Sequence, residues 1–508
     1  MNQNLPPLIQ ALLQAPRYPG AVQQVELLQT HISWVLLAGD YAYKIKKPVK
    51  LHFLDFSTLA RRRTCCEDEL RLNRRFAPDI YLEVLAITGS PQQPQLGGAG
   101  APIEYAVKMR RFAQDARLDH VCRRGELGSA HLSDLADTLA AFHAAAAVAP
   151  DSSRFGTLDE IAAEARDNFT DLLALLPAAC WQARLAALRS WTEAGLTRLA
   201  PLMAQRKQAG CVRECHGDLH LANLVLIDQR VRLFDCIEFN DDLRWLDVAN
   251  EIAFTYVDLL AHGCPGLANW FVNEVLSRSG DYQAAGVLRF YAVYRAMVRA
   301  KVAAIREEQR RVEASEVPAY LSLAEVLVAV PPARLVITHG LSGCGKTRAS
   351  DQWLQDDHQP PCLRLRSDIE RKRLFGLSLT GRSQSMPDAG IYAPEARAQT
   401  YARLRDLAGL LLQAGWSVMV DASFLKRRDR DDFRALANQA GVPFAILAPL
   451  ATPAQLRERI LARNALGRDA SEATLEVLAR QMQVIEPLAP DECRDVLPPT
   501  ELAPNGSG

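Results

Sequence analysis

The sequence predicts an α+β domain over residues 1–325, followed by an α/β domain with a parallel sheet over residues 333–500. Three observations favour this division. A chain of 508 residues is too long for one ordinary hydrophobic core. Strand and helix patterns occupy separate stretches in the first part of the chain, whereas they alternate in the last part. Between the two parts, Pro331-Pro332 ends an apolar helix and marks a linker, because proline cannot continue a helix.

The composition favours a soluble globular protein and excludes several other classes. Hydrophobic residues make up 49% of the chain, charged residues make up 23%, and the formal net charge is zero. With no net charge, the protein has no overall electrostatic field that would attract nucleic acid or anionic lipid. The eleven cysteines show no C-x-x-C spacing, which is typical of reduced thiols rather than of a zinc site. Because no apolar run resembles a signal peptide or a membrane span, we expect a cytoplasmic enzyme without a membrane partner.

In the first domain, strand patterns come before helical ones. Apolar and β-branched runs on either side of turns predict strands over residues 32–37, 41–45, 80–87 and 105–109. Apolar residues at helical spacing predict helices over residues 55–76, 132–147, 158–176 and 182–199. A small strand-rich lobe is therefore predicted to precede a large helical lobe.

A group of polar residues inside the helical part has a spacing that suits phosphoryl transfer. His216-Gly217-Asp218 is followed by Asn223, then by a predicted short hairpin, and then by Asp235. In phosphoryl transfer, one carboxylate must meet the acceptor hydroxyl, while an amide oxygen and a second carboxylate hold Mg²⁺. The loop supplies the first two groups, and the end of the hairpin supplies the third.

These residues resemble the aminoglycoside phosphotransferase and choline kinase group, relatives of the protein kinases that carry H-G-D in place of H-R-D. The resemblance implies a protein-kinase-like bilobal fold, with ATP and Mg²⁺ as cofactors. It implies that Asp218 is the catalytic base and that Asn223 and Asp235 are the metal ligands. His216 would brace the loop. The resemblance is closest between His216 and Asp235.

The same resemblance extends to residues on either side of this loop. It implies that Lys44 contacts the α- and β-phosphates, with Glu69 as its first-choice ion-pair partner and Glu67 as the second. Asp247 resembles the buried aspartate that supports the catalytic loop, although it could equally cap a helix. Two features depart from the family pattern: no G-x-G-x-x-G precedes Lys44, and Cys236-Ile237-Glu238 follows Asp235 in place of Phe-Gly. The neighbouring Lys46, Lys47 and Lys50 are interpreted as a solvated strand edge.

In the second domain, an apolar β-branched run at residues 335–337 leads directly into the pattern G-x-x-x-x-G-K-[ST]. Glycines allow successive backbone N–H groups to turn towards phosphate oxygens. Lys346 would then reach the β- and γ-phosphates, and the Thr347 hydroxyl would bind Mg²⁺. The predicted nucleotide-binding residues are Gly340, Ser342, Gly343, Cys344, Gly345, Lys346 and Thr347.

Further strands are predicted at residues 363–366, 418–421 and 444–447, so Asp368 and Asp421 fall at the carboxyl ends of parallel strands, where ligands bind. The arrangement resembles small P-loop kinases, including polynucleotide kinase, zeta toxin and chloramphenicol phosphotransferase. That resemblance implies Asp368 as the base, Arg371 as an acceptor-binding residue and Asp421 as a Mg²⁺-orienting carboxylate. It also places Arg459, Arg463 and Arg468 near a lid, where Arg463 is the choice for neutralising the transferring phosphoryl group. Asp368 could instead cap a helix, and the lid arginines could be solvated.

The order of the two modules resembles bacterial proteins described as an aminoglycoside-phosphotransferase-like domain fused to a P-loop ATPase. We therefore predict an ATP- and Mg²⁺-dependent phosphotransferase with two nucleotide sites and a small hydroxyl-bearing acceptor. Two alternatives stay open. The first is a nucleotide-sensing regulator whose kinase-like domain is catalytically silent. The second is a nucleic-acid end kinase, against which the zero net charge counts. Neither the acceptor nor the oligomeric state follows from the fold class.

Overall fold

The computed structural model describes residues 5–51, 54–310, 316–379, 390–466 and 473–498. The strands are β1 (Val25–Gln29), β2 (Ser33–Ala38), β3 (Tyr41–Lys46), β4 (Lys50–Leu51), β5 (Leu54–Asp55), β6 (Tyr81–Ser90), β7 (Gln93–Leu96), β8 (Glu104–Arg110), β9 (Val212–Glu214), β10 (Leu224–Ile227), β11 (Arg230–Leu233), β12 (Trp245–Asp247), β13 (Leu335–Thr338), β14 (Cys362–Arg366), β15 (Ser417–Asp421) and β16 (Phe444–Leu447).

The α-helices are α1 (Pro7–Leu12), α2 (Leu59–Asn73), α3 (Leu118–Arg123), α4 (Ser129–Ala145), α5 (Leu158–Leu175), α6 (Ala179–Gln208), α7 (Val248–Ala261), α8 (Pro265–Ser279), α9 (Ala285–Arg310), α10 (Val317–Val328), α11 (Lys346–Gln355), α12 (Ser367–Leu374), α13 (Pro394–Gln413), α14 (Arg427–Ala440), α15 (Pro453–Leu466), α16 (Leu475–Val484) and α17 (Pro490–Cys493). None of the described helices is both long enough and apolar enough to cross a bilayer.

Internal contacts divide the chain into two compact units. The first unit contains Met1–Ile161 and Met203–Asp258, and the second contains Ala162–Leu202 and Leu259–Gly508. The second unit thus joins helices α8, α9 and α10 to the C-terminal sheet. The division at residues 325 and 333 that the sequence suggests stays a prediction.

The first unit is built on a six-stranded antiparallel sheet with the strand order β1-β2-β3-β8-β6-β7. The hairpin of β2 and β3 turns at Gly39, which has a φ of 59°, a left-handed conformation that glycine adopts readily. Successive side chains of β3 point to opposite faces. Tyr43 and Ile45 lie in a core cluster with Ile9 of α1, whereas Ala42 lies in a second cluster with Cys66 of α2. Lys44 and Lys46 therefore share the α2 face with Ala42.

The second unit contains a four-stranded parallel sheet with the order β14-β15-β13-β16. Strand β13 leads into the glycine-rich loop, which opens helix α11. Every residue of β13 and β15 is buried, as expected for inner strands covered on both faces. The predicted order, an α+β region followed by an α/β P-loop region with a parallel sheet, is confirmed.

Strand β14 is an outer strand, and two asparagines of α8 bond to its backbone. The Asn269 side-chain oxygen accepts the Cys362 N–H at 3.1 Å, and the Asn273 oxygen accepts the Arg364 N–H at 2.6 Å. The Asn273 amide nitrogen in turn donates to the Cys362 carbonyl at 2.8 Å. The two side chains thus supply hydrogen-bond partners for backbone groups that an unpaired strand edge would leave without any.

Replacing Asn273 with alanine is expected to lower the free energy of unfolding by about 3 kcal/mol, because it leaves a buried N–H and a buried carbonyl without their partner. Urea unfolding followed by tryptophan fluorescence measures this loss. Asn438→Ala is the matched control, because Asn438 is an exposed residue of α14. Equal losses in the two variants would show that the Asn273 contact does not stabilise the strand edge.

Candidate functional site

The first candidate site begins with a buried lysine on β3. The Lys44 Nζ lies 2.8 Å from Glu69 Oε1, and it also donates to Asp235 Oδ1. Burial alone would lower the pKa of Lys44, but the carboxylates of Asp235 and Glu69 raise it well above its usual value. Glu67 instead pairs with Arg63 at 2.8 Å on the exposed side of α2. Lys44 is thus a charged group held between Glu69 and Asp235.

Lys46 occupies the same buried cluster, so its interpretation as part of a solvated strand edge is wrong. Its Nζ lies 2.7 Å from Glu69 Oε2 and also contacts the Glu238 carboxylate. Only 1% of Lys46 is exposed, because alternation along β3 places it on the same face as Lys44. The spacing of two residues from Lys44 was the available sequence signal. Lys50, by contrast, is exposed.

Replacing Lys46 with methionine is expected to destabilise the first unit by about 3 kcal/mol, since it removes a positive charge from two buried carboxylates. Lys46→Arg should recover part of the loss by restoring the charge. Thermal unfolding of the full chain measures both effects. Lys50→Met is the control, because 75% of that side chain is exposed. A Lys46→Met protein as stable as Lys50→Met would contradict the ion-pair assignment.

Asp218 and Asn223 are in direct contact. The Asn223 Nδ2 donates to both the carboxylate and the backbone carbonyl of Asp218, at 3.0 Å each. Because both bonds use Nδ2, the carboxamide oxygen of Asn223 is the atom left to bind a cation. The Asp218 side chain is 37% exposed, and its Oδ2 lies 3.4 Å from the His220 ring. The Asp218 carboxylate is therefore fixed in position and still accessible to a substrate.

Asp235 is held beside these two residues through the backbone. The Phe234 N–H donates to the Asn223 carbonyl at 3.1 Å, and the His216 ring bonds to the Phe234 carbonyl at 2.9 Å. The Asp235 N–H donates to the Tyr81 hydroxyl at 2.9 Å, and the φ of Asp235 is 63°. Aspartate tolerates this left-handed conformation better than most residues. Asp218, Asn223 and Asp235 thus belong to one hydrogen-bonded cluster, which Lys44 joins through Asp235.

A buried glutamate on α7 supports the loop that carries Asp218. One carboxylate oxygen of Glu251 accepts the N–H groups of His216 and Gly217, and the other bonds to the His143 ring. Burial would raise the pKa of Glu251, but its hydrogen bond and charge interaction with His143, together with His216, lower the pKa to about 2. Asp258 adds a bond to the Leu221 N–H at 2.8 Å. Two carboxylates of α7 therefore hold this loop in place through hydrogen bonds to its backbone.

Asp247 does not make the loop contacts made by Glu251. Its carboxylate pairs with Arg206 at 2.7 Å and accepts the Ala249 N–H at 2.8 Å. Of the two alternatives that the sequence left open, the structure shows the helix cap. Glu251 was missed because a single glutamate in an apolar helix gives no signal of the loop that it contacts.

The second candidate site is the glycine-rich loop. Gly340, Gly343 and Gly345 have φ values of 139°, 85° and 97°, which only glycine adopts at low cost. The Lys346 Nζ donates to the backbone carbonyls of Gly340 and Leu341 at 2.9 Å each. The loop therefore has the backbone geometry expected of a phosphate cradle.

Two of the predicted cation-binding residues meet beside this loop. The Thr347 hydroxyl donates to Asp421 Oδ2 at 3.0 Å, and Asp421 is the last residue of β15. The Arg366 Nε lies 4.0 Å from the same carboxylate oxygen. The structure thus places Thr347 and Asp421 together at the carboxyl ends of the parallel strands.

The remaining predicted residues of the second site are only partly described. Asp368 and Arg371 lie in α12 and form an ion pair at 3.2 Å, with Asp368 in the first turn of the helix. Arg459 donates to the carbonyls of the glycine-rich loop at 3.4 Å. Arg463 belongs to α15, but its side chain lies outside the described residues, and so does the whole of Arg468.

Comparison with known proteins is consistent with this architecture. Residues 335–488 match the family model described as an AAA domain, and this match contains the glycine-rich loop. The fold and the loop define this part of the chain as a P-loop domain. An uncharacterized protein of Mycobacterium tuberculosis is 29% identical over 459 residues, which cover 90% of each chain. An uncharacterized protein of Mycobacterium bovis matches equally well.

Solved kinase structures are similar to part of the chain. A choline/ethanolamine kinase family protein from Mesorhizobium loti is 14% identical, covers 62% of this chain and 90% of its own, and has a TM-score of 0.40. A choline kinase from Cryptosporidium parvum Iowa II is 11% identical, covers 63% of this chain and 92% of its own, and has a TM-score of 0.39.

Proposed function

We propose that the protein is an ATP- and Mg²⁺-dependent phosphotransferase that acts on a small hydroxyl-bearing acceptor and has a separate nucleotide site in each unit. The main support is the cluster in the first unit, where Lys44 bridges Glu69 and Asp235 while Asn223 holds Asp218. A charged lysine, an accessible carboxylate and two oxygen ligands are the groups that phosphoryl transfer requires.

The residues of both sites suit a hard divalent cation. In the first unit, the Asn223 carboxamide oxygen and the Asp235 carboxylate, which is 43% exposed, offer oxygen ligands. In the second unit, the Thr347 hydroxyl and the Asp421 carboxylate do the same. Magnesium bound at these positions would neutralise charge on the phosphates of ATP.

At the first site, each residue has a separate task. Asp218 accepts the proton of the acceptor hydroxyl, and its bond to Asn223 holds the carboxylate in the orientation required for this transfer. The Lys44 ammonium binds the α- and β-phosphates, while its ion pair with Glu69 holds the lysine side chain in position. Because Glu69 also pairs with Lys46, it keeps a partner when Lys44 turns towards phosphate oxygens.

At the second site, the backbone N–H groups of residues 340–347 and the Lys346 ammonium bind the phosphates. Asp368 accepts a proton from the acceptor, Arg371 holds that acceptor, and Arg463 has the role of neutralising charge on the transferring phosphoryl group. The Asp218–Asn223 contact favours catalysis in the first unit over the alternative of a silent, nucleotide-sensing domain.

A screen of hydroxyl-bearing metabolites for ATP consumption tests the proposal. The full chain, an Asp218→Asn variant and a Lys346→Ala variant are compared on the same acceptors. With an acceptor used by the first site, ATP consumption should stop when Asp218 is replaced. With an acceptor used by the second site, it should stop when Lys346 is replaced. ATP consumption that persists unchanged in both variants would contradict the proposal.

A further inference from the structure

A glutamine side chain accepts a hydrogen bond from one of the backbone N–H groups of the glycine-rich loop. The Oε1 atom of Gln481, on α16, accepts the Ser342 N–H at 2.7 Å. Ser342 is the third residue of the loop, and its N–H belongs to the backbone that cradles phosphates in this motif. A backbone N–H makes one strong hydrogen bond, so Gln481 and a phosphate oxygen cannot both have it.

Helix α16, which carries this glutamine, and helix α15 both pack directly on the loop. Cys344 of the loop shares a core cluster with Leu456 and Ile460 of α15 and with Leu478 of α16. A Cβ atom at Gly343 would lie 2.7 Å from the Leu456 carbonyl, so the loop and α15 approach as closely as backbones allow. Gln481 lies one turn after Leu478 and therefore reaches the loop from a fixed position.

The Ser342 N–H lies at the far end of the loop from helix α11. At the helix end of the loop, the backbone N–H groups of Lys346 and Thr347 serve the inner phosphates, the Lys346 ammonium reaches the β- and γ-phosphates, and the Thr347 hydroxyl serves the cation. An N–H four residues earlier is then available to the outermost phosphate. A phosphate oxygen carries negative charge and is a stronger acceptor than the neutral oxygen of glutamine. The third phosphate can therefore displace Gln481.

We propose that Gln481 is a latch that a nucleoside triphosphate opens and a nucleoside diphosphate leaves closed, so that it sets the selectivity of the P-loop site. The inference rests on the proposed nucleotide site at this loop. While the latch is closed, α16 is bonded to the loop backbone. When the terminal phosphate takes the Ser342 N–H, that bond is lost and α16 is released.

Titration calorimetry on the full chain tests the latch with a non-hydrolysable ATP analogue and with ADP. Each variant is also measured with Lys346→Ala added, so that only the Lys346-dependent binding is counted. Gln481→Ala is expected to bind the analogue about fivefold more tightly and ADP with unchanged affinity, because one competing hydrogen bond has been removed. Gln483→Ala is the matched control, since Gln483 is an exposed residue of the same helix.

The possible outcomes separate the latch from the nucleotide site itself. If Lys346→Ala removes binding but Gln481→Ala behaves like Gln483→Ala, the latch is wrong and the site stands. Tighter binding of both nucleotides, or weaker binding of the analogue, would also overturn the latch. If Lys346→Ala leaves all binding unchanged, both the site and the latch fail. As a second measurement, hydrogen exchange of residues 475–484 should be faster with the analogue than with ADP, and equal rates would contradict the release of α16.

Discussion

Replacing Asp218 with asparagine is expected to lower phosphate transfer at the first site by about a thousandfold, because the variant loses the carboxylate that we propose as the general base. Affinity for ATP should change by no more than about threefold, since Asp218 acts on the acceptor rather than on the nucleotide. Steady-state turnover and calorimetric ATP binding measure the two quantities.

The contacts of Asp218 determine how this experiment is controlled. Asparagine preserves the size of the side chain and one oxygen able to accept the Asn223 Nδ2. Asp228→Asn is the matched control, because Asp228 is an exposed turn residue whose φ of 49° asparagine tolerates. If the turnover of Asp218→Asn equals that of Asp228→Asn with an acceptor shown to bind the first unit, Asp218 is not the base.

Replacing Glu251 with glutamine is expected to lower the free energy of unfolding by about 3 kcal/mol at pH 7, because it removes a buried charge that bonds to the loop carrying Asp218 and to His143. Turnover at the first site should fall as well, since the N–H groups of His216 and Gly217 lose a charged acceptor. Urea unfolding of the variant and of Glu67→Gln, an exposed change on α2, separates this effect from a general loss of charge.

The pH dependence of the same variant gives a second test. The folded-state pKa of Glu251 is about 2, below the value of 4.5 for an ordinary glutamate. A lowered pKa means that Glu251 stabilises the fold above about pH 4.5 and that this contribution is lost as the pH falls towards 2. The unfolding free energy of Glu251→Gln should therefore fall less steeply over this range than that of the natural protein. Parallel acid profiles would contradict the assignment.

The elements that the sequence predicted best are those set by local patterns. The hairpin of β2 and β3, the hairpin of β10 and β11, and the parallel strands of the second unit each carry an apolar run next to a turn or loop signal. Strand β1 and the order of the six-stranded sheet were not predicted, because strand pairing depends on contacts distant in sequence. The role of α8 at the edge of β14 was missed for the same reason.

The same limit on prediction from sequence applies to the candidate sites. Motif spacing predicted the grouping of Asp218, Asn223 and Asp235 and the glycine-rich loop, because phosphoryl transfer and phosphate binding require fixed intervals along the chain. Residues that act on the motifs from other elements carried no such signal. Glu251 and Gln481 are single polar residues in helices, and only the folded contacts reveal their partners.

Counting bound nucleotides tests the central claim, two separate nucleotide sites on one chain, most directly. Titration of the full chain with a non-hydrolysable ATP analogue and Mg²⁺ is expected to give two equivalents, reduced to one by Lys346→Ala or by Lys44→Ala and to none by both together. A single equivalent in the natural protein, or two equivalents that survive either substitution, would contradict the claim.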